Sequence, residues 1–539
     1  MQQRAKFAIK AALCAVVVSD SAVVTLGQGD NDALAKSPPM GWNSYNAFLR
    51  NYDEDVLYPN VELMDTLGLV DLGYNYFNVD GVWWDGDYKN GKVYRNESGH
   101  WVEPLTKFPS GVAAFSDFVH DHGMKLGWYT SGRDTACCCA PSPMKPMSMG
   151  YEAQDTERLK EWRVDYFKID NCASSGSGLE KSEEVLKRWT SLLKGSKIVV
   201  ENCRMGCMAK VVGKKKKLAP ANKQKLPNWC RKTAHLTRVS KDIGKYIKGD
   251  HLNGKRIASW ESIMYNAMAS RGLEDTAGPG FWLHLDTLDI GNGELSLDEN
   301  QSHFALWSIV SSALIFGTDL RKINIDHLSI LRNERAIRVN QLYGGDNGRF
   351  IEENKNIQLW AKRLPNKELA VLVLNVHKKK TLNVELEFGS AKWHKTLRNH
   401  IAPSKYKPDQ DTLECIMENI WSRTFAAAYD SQRLRLRSHQ GAFLVLSKCK
   451  ISKNIAVTPP PEPTEPPRAP TPYTGVSSSC LLYNPSCRTA TKKRSCNKLN
   501  GCQWCPRQAS VENKELCRTK LSNVCFDADK FDHCVGERA

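Results

Sequence analysis

Between residues 34 and about 330, short β-rich runs alternate with stretches whose apolar residues recur at helical spacing. This alternation confines the region to parallel α/β architectures, because a parallel strand needs a crossover, usually helical, before the next one can pair. Runs at 74–79, 125–129, 165–169, 197–201 and 313–317 read as strands, with helices at 110–122 and 299–312. Weaker runs at 40–44, 236–240 and 287–290 bring the strands to eight. Eight strand-plus-helix units in such a length satisfy the requirement of a (β/α)8 TIM barrel over 34–330.

From 335 to 450 the pattern changes to strands without long helices, at 357–361, 368–376, 381–388 and 441–447, which predicts an antiparallel β-sandwich domain. Cys415 and Cys449 are placed to tie its later part together. A Pro-rich linker follows at 458–474, and beyond it eight cysteines crowd residues 478–539, where few aliphatic residues are available for a core. That tail is predicted to be a small disulfide-held module. It is a candidate for polysaccharide or cell-wall contact.

Eighteen cysteines in one chain indicate an oxidising compartment. The N-terminus agrees: Arg4, Lys6 and Lys10 precede the apolar run 11–18, followed by small and polar residues. Residues 1–25 read as a signal peptide cleaved between 20 and 33, and the chain as secreted and extracellular. The apolar run is too short to cross a bilayer, so the chain is not membrane-spanning. Loss of the leader removes Cys14 and leaves an odd thiol, expected among Cys137, Cys138 and Cys139. Asn96 and Asn300 open sequons compatible with a glycoprotein. The net charge is +16, but nine of the positive charges lie in the acid-free segment 210–232, which reads as a surface insertion or a polyanion contact. One such run does not make a nucleic-acid site.

In a barrel, catalytic groups stand where strands give way to loops. Acids close four of the predicted strands: Asp80, Asp170, Glu201 and Asp242. Carboxylates at such positions are poorly compatible with an apolar interior unless paired or used. Strand alternation puts Lys168 on the same side as Asp170, where its ammonium can favour the ionised carboxylate and hold it ready as a nucleophile. Arg238 stands in a similar relation to Asp242. Two carboxylates amid Trp42, Tyr45, Trp83, Trp84 and Tyr129 suggest sugar chemistry, since aromatic faces stack on pyranose C–H faces while acids bind hydroxyls. No zinc-protease helix, phosphate-cradling loop or serine-hydrolase elbow competes with that reading.

Four ordered motifs carry a resemblance. The segments 38–44 (PPMGWNS), 73–80 (GYNYFNVD), 165–172 (DYFKIDNC) and 277–282 (AGPGFW) resemble the α-galactosidase/melibiase family, glycoside hydrolase family 27. The resemblance implies a barrel with a C-terminal antiparallel domain and a retaining exo-glycosidase acting on terminal α-D-galactosides, without metal or organic cofactor. It implies Asp170 as nucleophile and Asp242 as acid/base, with their carboxyls about 5–5.5 Å apart. Burial beside a second acid is expected to raise Asp242. Sugar-binding roles transfer to Asp80, Tyr129, Lys168, Glu201, Arg238 and Asp286, with Cys137 lining the pocket and bridged to Cys172.

The sequence departs from the family pattern at Gly81, where a second aspartate is usual, at Tyr45, at His284 and at Val200. These changes keep the catalytic acids and alter the surroundings of the sugar. They leave a β-L-arabinopyranosidase and a catalytically silent sugar-binding protein as alternative readings.

Overall fold

The computed structural model describes residues 34–452 apart from 85–93, 135–146, 173–179, 214–216, 248–254 and 409, together with the backbone of 502–505 and 516–519. The expected leader and linker lie outside the described residues, as does the cysteine-rich tail except for an antiparallel pairing of Cys502–Cys505 with Leu516–Thr519.

Eight parallel strands form one curled sheet: β1 (Met40–Asn43), β2 (Tyr76–Asn78), β3 (Lys125–Ser131), β4 (Tyr166–Asp170), β5 (Val199–Cys203), β6 (Leu236–Arg238), β7 (Trp282–His284) and β8 (Leu314–Phe316). Their order is β7-β6-β5-β4-β3-β2-β1-β8. The sheet's ends meet through a parallel bridge between Leu288 and Phe316. The seventh strand therefore differs from expectation: β7 lies at 282–284, paired with β6, and the stretch around Leu288 supplies only the closing bridge. Where strands approach most closely, side chains are excluded. A Cβ at Gly41 would collide with the Tyr76 carbonyl, so β1 and β2 can pair only because residue 41 is glycine.

Helices cover the outside. Asp53 starts Glu54–Thr66 by accepting the Val56 amide at 3.1 Å. A capping box starts Leu297–Ile309, with Ser296 Oγ accepting from the Glu299 amide and Glu299 Oε2 from the Ser296 amide. Every residue from Asn300 to Ile309 is buried, because this helix also packs against strands of the second sheet, Leu369–Asn375 and Gly441–Ser452. A helix pressed from both sides cannot keep a polar stripe. The Asn300 sequon falls on it: the Asn300 amide donates to the Leu295 and Ser296 carbonyls and is withdrawn from solvent, whereas Asn96 is exposed.

The second sheet is antiparallel, with six strands in the order Arg349–Asn354, Ile357–Arg363, Leu369–Asn375, Gly441–Ser452, Thr412–Asn419 and Thr424–Tyr429. Leu382–Leu386 pairs separately with Gln432–Leu436. The Cys415–Cys449 disulfide joins two strands of this part, as their positions suggested. A second disulfide, Cys207–Cys230, was not anticipated and closes the base of the lysine-rich insertion. Among the described residues no helix is long and apolar enough to cross a membrane.

Candidate active site

Inside the curled sheet the side chains lie in layers set by strand register. Tyr76, Tyr166, Val199, Leu236, Ala313 and Ile315 form an apolar floor. Two residues further along, the same faces of β4, β5, β6 and β7 carry Lys168, Glu201, Arg238 and His284. Lys168 pairs in register with Glu201, and Asp170 with Cys203, so the uppermost layer holds Asp170 and Cys203. Polar groups stacked on an apolar floor must satisfy one another.

Most do so, in three connected groups, while Arg238 Nε and His284 Nε2 are buried without a hydrogen-bond partner among the described residues. In the first, Asp80 Oδ2 accepts from Lys168 Nζ at 2.7 Å and from Asn43 Nδ2 at 2.8 Å, while Oδ1 accepts the Gly81 amide at 2.7 Å. The ion-pair partner of Lys168 is thus Asp80, and not Asp170 as strand alternation alone suggested. Although burial acts to lower it, the Lys168 ammonium is held well above its ordinary pKa by Asp80, with smaller help from Cys203, Glu201 and Asp170.

In the second group, Glu201 Oε2 accepts from Tyr166 OH at 2.6 Å, and Oε1 meets His284 Nδ1 at 3.0 Å. Burial would raise Glu201, but His284, Lys168 and Tyr166 together bring it down to about 2. Glu201 is 2% exposed with both oxygens occupied, one layer below the mouth. The residue on β5 that stands level with Asp170 is Cys203, a buried reduced thiol. Burial and the neighbouring Asp170 push that thiol well above its ordinary range. The free thiol among the described residues is therefore Cys203; Cys137, Cys138 and Cys139 lie outside them. Cys172 is disulfide-bonded.

The third group joins the two acids singled out from the sequence. Asp170 Oδ2 accepts from Tyr129 OH at 3.0 Å and Oδ1 accepts the Asn171 amide at 2.8 Å. Asp242 lies in the loop after β6, where Oδ1 meets Arg238 at 3.0 Å and Oδ2 meets Arg256 at 3.5 Å. Arg204 reaches both acids, with Nη2 3.6 Å from Asp170 Oδ1 and Nη1 3.4 Å from Asp242 Oδ1. One guanidinium spans the two carboxylates, which brings them to the same place. Asp286 completes the group by pairing with Arg238 at 3.0 Å and accepting the Ile243 amide at 2.6 Å.

Loss of solvent around Asp242 acts to raise it, yet Arg238, Arg204 and Arg256 outweigh that effect and hold it well below the ordinary carboxylate range. This is opposite to the rise expected from burial beside a second acid. Arg204 and Asp286 adopt left-handed backbone, with φ 67° and 87°. Such conformations are costly for residues with a side chain and gather at working sites.

Of the expected aromatic contacts, Tyr129 lies on Asp170 and Tyr45 is half-buried in the short helix Ser44–Phe48 that follows β1. Trp42 is wholly buried, stacked on Phe77 with its indole N–H on the Thr318 carbonyl, and it presents no surface to a ligand. Trp83 is likewise buried, its N–H donating to the Tyr129 carbonyl, so it supports Tyr129 from behind. Arg204, Arg256 and Asn43 were missed. Asn43 ends β1 and Arg204 follows β5, whereas Arg256 lies within the short strand Lys255–Ile257, and the place of Arg204 three residues beyond Glu201 was the available signal.

A curled parallel sheet with helices outside, an adjoining antiparallel sheet and paired carboxylates inside define a class of glycosidase-like proteins. The alpha galactosidase A family description matches residues 37–342, and the chain belongs to that family, glycoside hydrolase family 27. Alpha-galactosidase 2 of Arabidopsis thaliana is 31% identical over 346 residues, covering 64% of this chain and 77% of that protein. The crystal structure of alpha-galactosidase I from Mortierella vinacea superposes with a TM-score of 0.61 at 24% identity, covering 77% of this chain and 98% of that one. A β-L-arabinopyranosidase from Geobacillus stearothermophilus gives 0.55 at 20% identity, covering 79% and 98%. At these identities the two structures speak for the fold alone.

Proposed function

We propose that the protein is a secreted retaining exo-glycosidase, built on a closed (β/α)8 barrel, that releases terminal α-D-galactosyl residues from oligo- or polysaccharides. The observation that carries this reading is the convergence of Asp170 and Asp242 on Arg204. In the first step a carboxylate oxygen of Asp170 bonds to the anomeric carbon as the bond to the leaving oxygen breaks, and Asp242 gives that oxygen its proton. In the second step Asp242 takes a proton from water, whose oxygen bonds to the same carbon as the ester to Asp170 breaks.

Tyr129 and the Asn171 amide aim Asp170 by holding one oxygen each. Asp80, fixed by Lys168 and Asn43, and Asp286, fixed by Arg238, supply acceptors for sugar hydroxyls. Glu201 acts from below by fixing His284. Asp242 can carry a proton only when its ion pairs loosen, and Arg204 is the partner that an entering aglycone would displace. Hydrolysis of para-nitrophenyl α-galactoside that is abolished in Asp170→Ala supports the assignment. No turnover on any pyranoside would overturn it in favour of a sugar-binding protein.

A second reading, β-L-arabinopyranosidase, is favoured by Gly81. A side chain there would begin 3.2 Å from the Tyr129 ring, and glycine removes an acid that the family resemblance places beside the sugar. The ratio of turnover on α-galactoside and β-L-arabinopyranoside decides between the two.

A further inference from the structure

Between Glu201 and Asp242 the chain carries twelve lysines and arginines and no acidic residue. Much of this segment is firmly built. The Cys207–Cys230 disulfide closes it, and Val211–Val212 pairs with Lys217–Leu218. The buried Gln224 side chain accepts the Lys210 amide at 2.7 Å and donates to the Lys210 and Ala219 carbonyls. Its later part packs on the helix Ser182–Leu192, where Thr190 Oγ1 donates to the Thr233 carbonyl.

Between that helix and residues 225–233 lies a groove of about 880 Å³, a volume in the range of ligand-binding clefts. Lys187, Lys194, Lys225, Lys232, Glu183 and Trp229 are among its lining residues. Lys187 is balanced by Glu183 and Glu184 at 3.0 and 3.3 Å. Lys194, Lys225 and Lys232 are exposed and have no ion-pair partner among the described residues, and the half-buried Trp229 lines the same groove.

We propose that this groove is an auxiliary binding site for an acidic polysaccharide, separate from the paired carboxylates and independent of whether they hydrolyse galactosides. Uronic acid carboxylates would meet the three uncompensated ammonium groups while a pyranose face lies on Trp229. A concave cleft with a single indole fits a chain of sugar rings. Stacking on single-stranded nucleic acid uses successive aromatic platforms. A bilayer meets projecting surface, here the exposed Val211 and Val212 of the adjoining hairpin.

The test measures binding of the full chain to polygalacturonate, neutral galactomannan, single-stranded DNA and phosphatidylserine-containing vesicles. Polygalacturonate should bind most tightly, and its affinity should fall as salt rises from low to molar concentration. Joint Lys194→Gln, Lys225→Gln and Lys232→Gln substitution should weaken binding about tenfold, the sum of three modest surface ion pairs. Joint Lys210→Gln, Lys217→Gln and Lys223→Gln, which removes equal charge away from the groove, should weaken it much less. Unchanged melting temperatures verify that both variants are folded. Equal loss in the two variants, binding that survives molar salt, or tighter binding to galactomannan, DNA or vesicles would each overturn the proposal.

Discussion

The Arg204 guanidinium stands 3.4 Å from Asp242, on the side of that carboxylate facing Asp170. It is one of four positive groups that keep Asp242 ionised, with Arg238, Arg256 and Lys168, and the one that reaches both acids. Replacing it by leucine leaves Arg238 and Arg256 in place but removes part of the attraction, so Asp242 should hold its proton to higher pH. The alkaline limb of kcat/KM for an α-galactoside should shift upward by roughly one pH unit in Arg204→Leu. A limb that stays in place would show that another group sets it.

If Asp242 delivers the proton, its importance should scale with the need of the leaving group. Asp242→Asn should lower kcat/KM on an alkyl galactoside by roughly 10²–10⁴-fold, and considerably less on a nitrophenyl galactoside, whose phenolate departs unaided. Equal losses on both substrates would assign Asp242 to binding or positioning.

Asp289 offers a test through stability. It is fully buried, and burial pushes its carboxyl up to about 8, against a hydrogen bond from Asn46 at 2.9 Å and with a further push from Asp286. A folded-state value above the unfolded one, about 3.9, means that its contribution is complete below about pH 4 and lost as pH rises through 8. Asp289→Asn keeps the oxygen that accepts from Asn46 and abolishes the titration. The melting temperature of the variant should therefore gain on the parent between pH 5 and pH 8, and parallel curves would refute the shift.

The Cys207–Cys230 disulfide closes a loop with a sequence separation of 23. Loop-closure entropy assigns such a link about 3 kcal/mol. Joint Cys207→Ser and Cys230→Ser should lower the urea midpoint by the equivalent, or release the loop alone. Limited proteolysis within 208–229 distinguishes local release from global unfolding.

Strand positions were largely legible because buried parallel strands read as dense apolar runs. Of the four acids expected to close strands, Asp170 ends β4, Asp80 and Asp242 lie two and four residues past β2 and β6, and Glu201 stands inside β5. The seventh strand was misplaced because β7 has only Trp282, Leu283 and His284, whereas the later Thr287, Leu288 and Ile290 have stronger β character. Alternation correctly put Lys168 and Asp170 on one side of β4. It could not say that Asp80, arriving from β2, would claim the ammonium first. Residue type misled for Trp42 and Trp83, since an indole serves a core as readily as a sugar platform, and only packing separates the two. Arg204 was hidden because it lies past a strand end in left-handed backbone, where neither helical nor strand periodicity governs its direction.

The closure of the curled sheet at Leu288 has a mechanical consequence. That junction rests on one bridge to Phe316 and two backbone hydrogen bonds, whereas β3 and β4 share five paired positions. Asp286 lies two residues before the joint, tied to Arg238 and to the Ile243 amide. The ring is thus weakest beside Asp286, one of the acids proposed to hold the sugar. A saccharide seated on Asp286 would act as a clasp, so that occupancy stiffens the whole scaffold from its loosest seam.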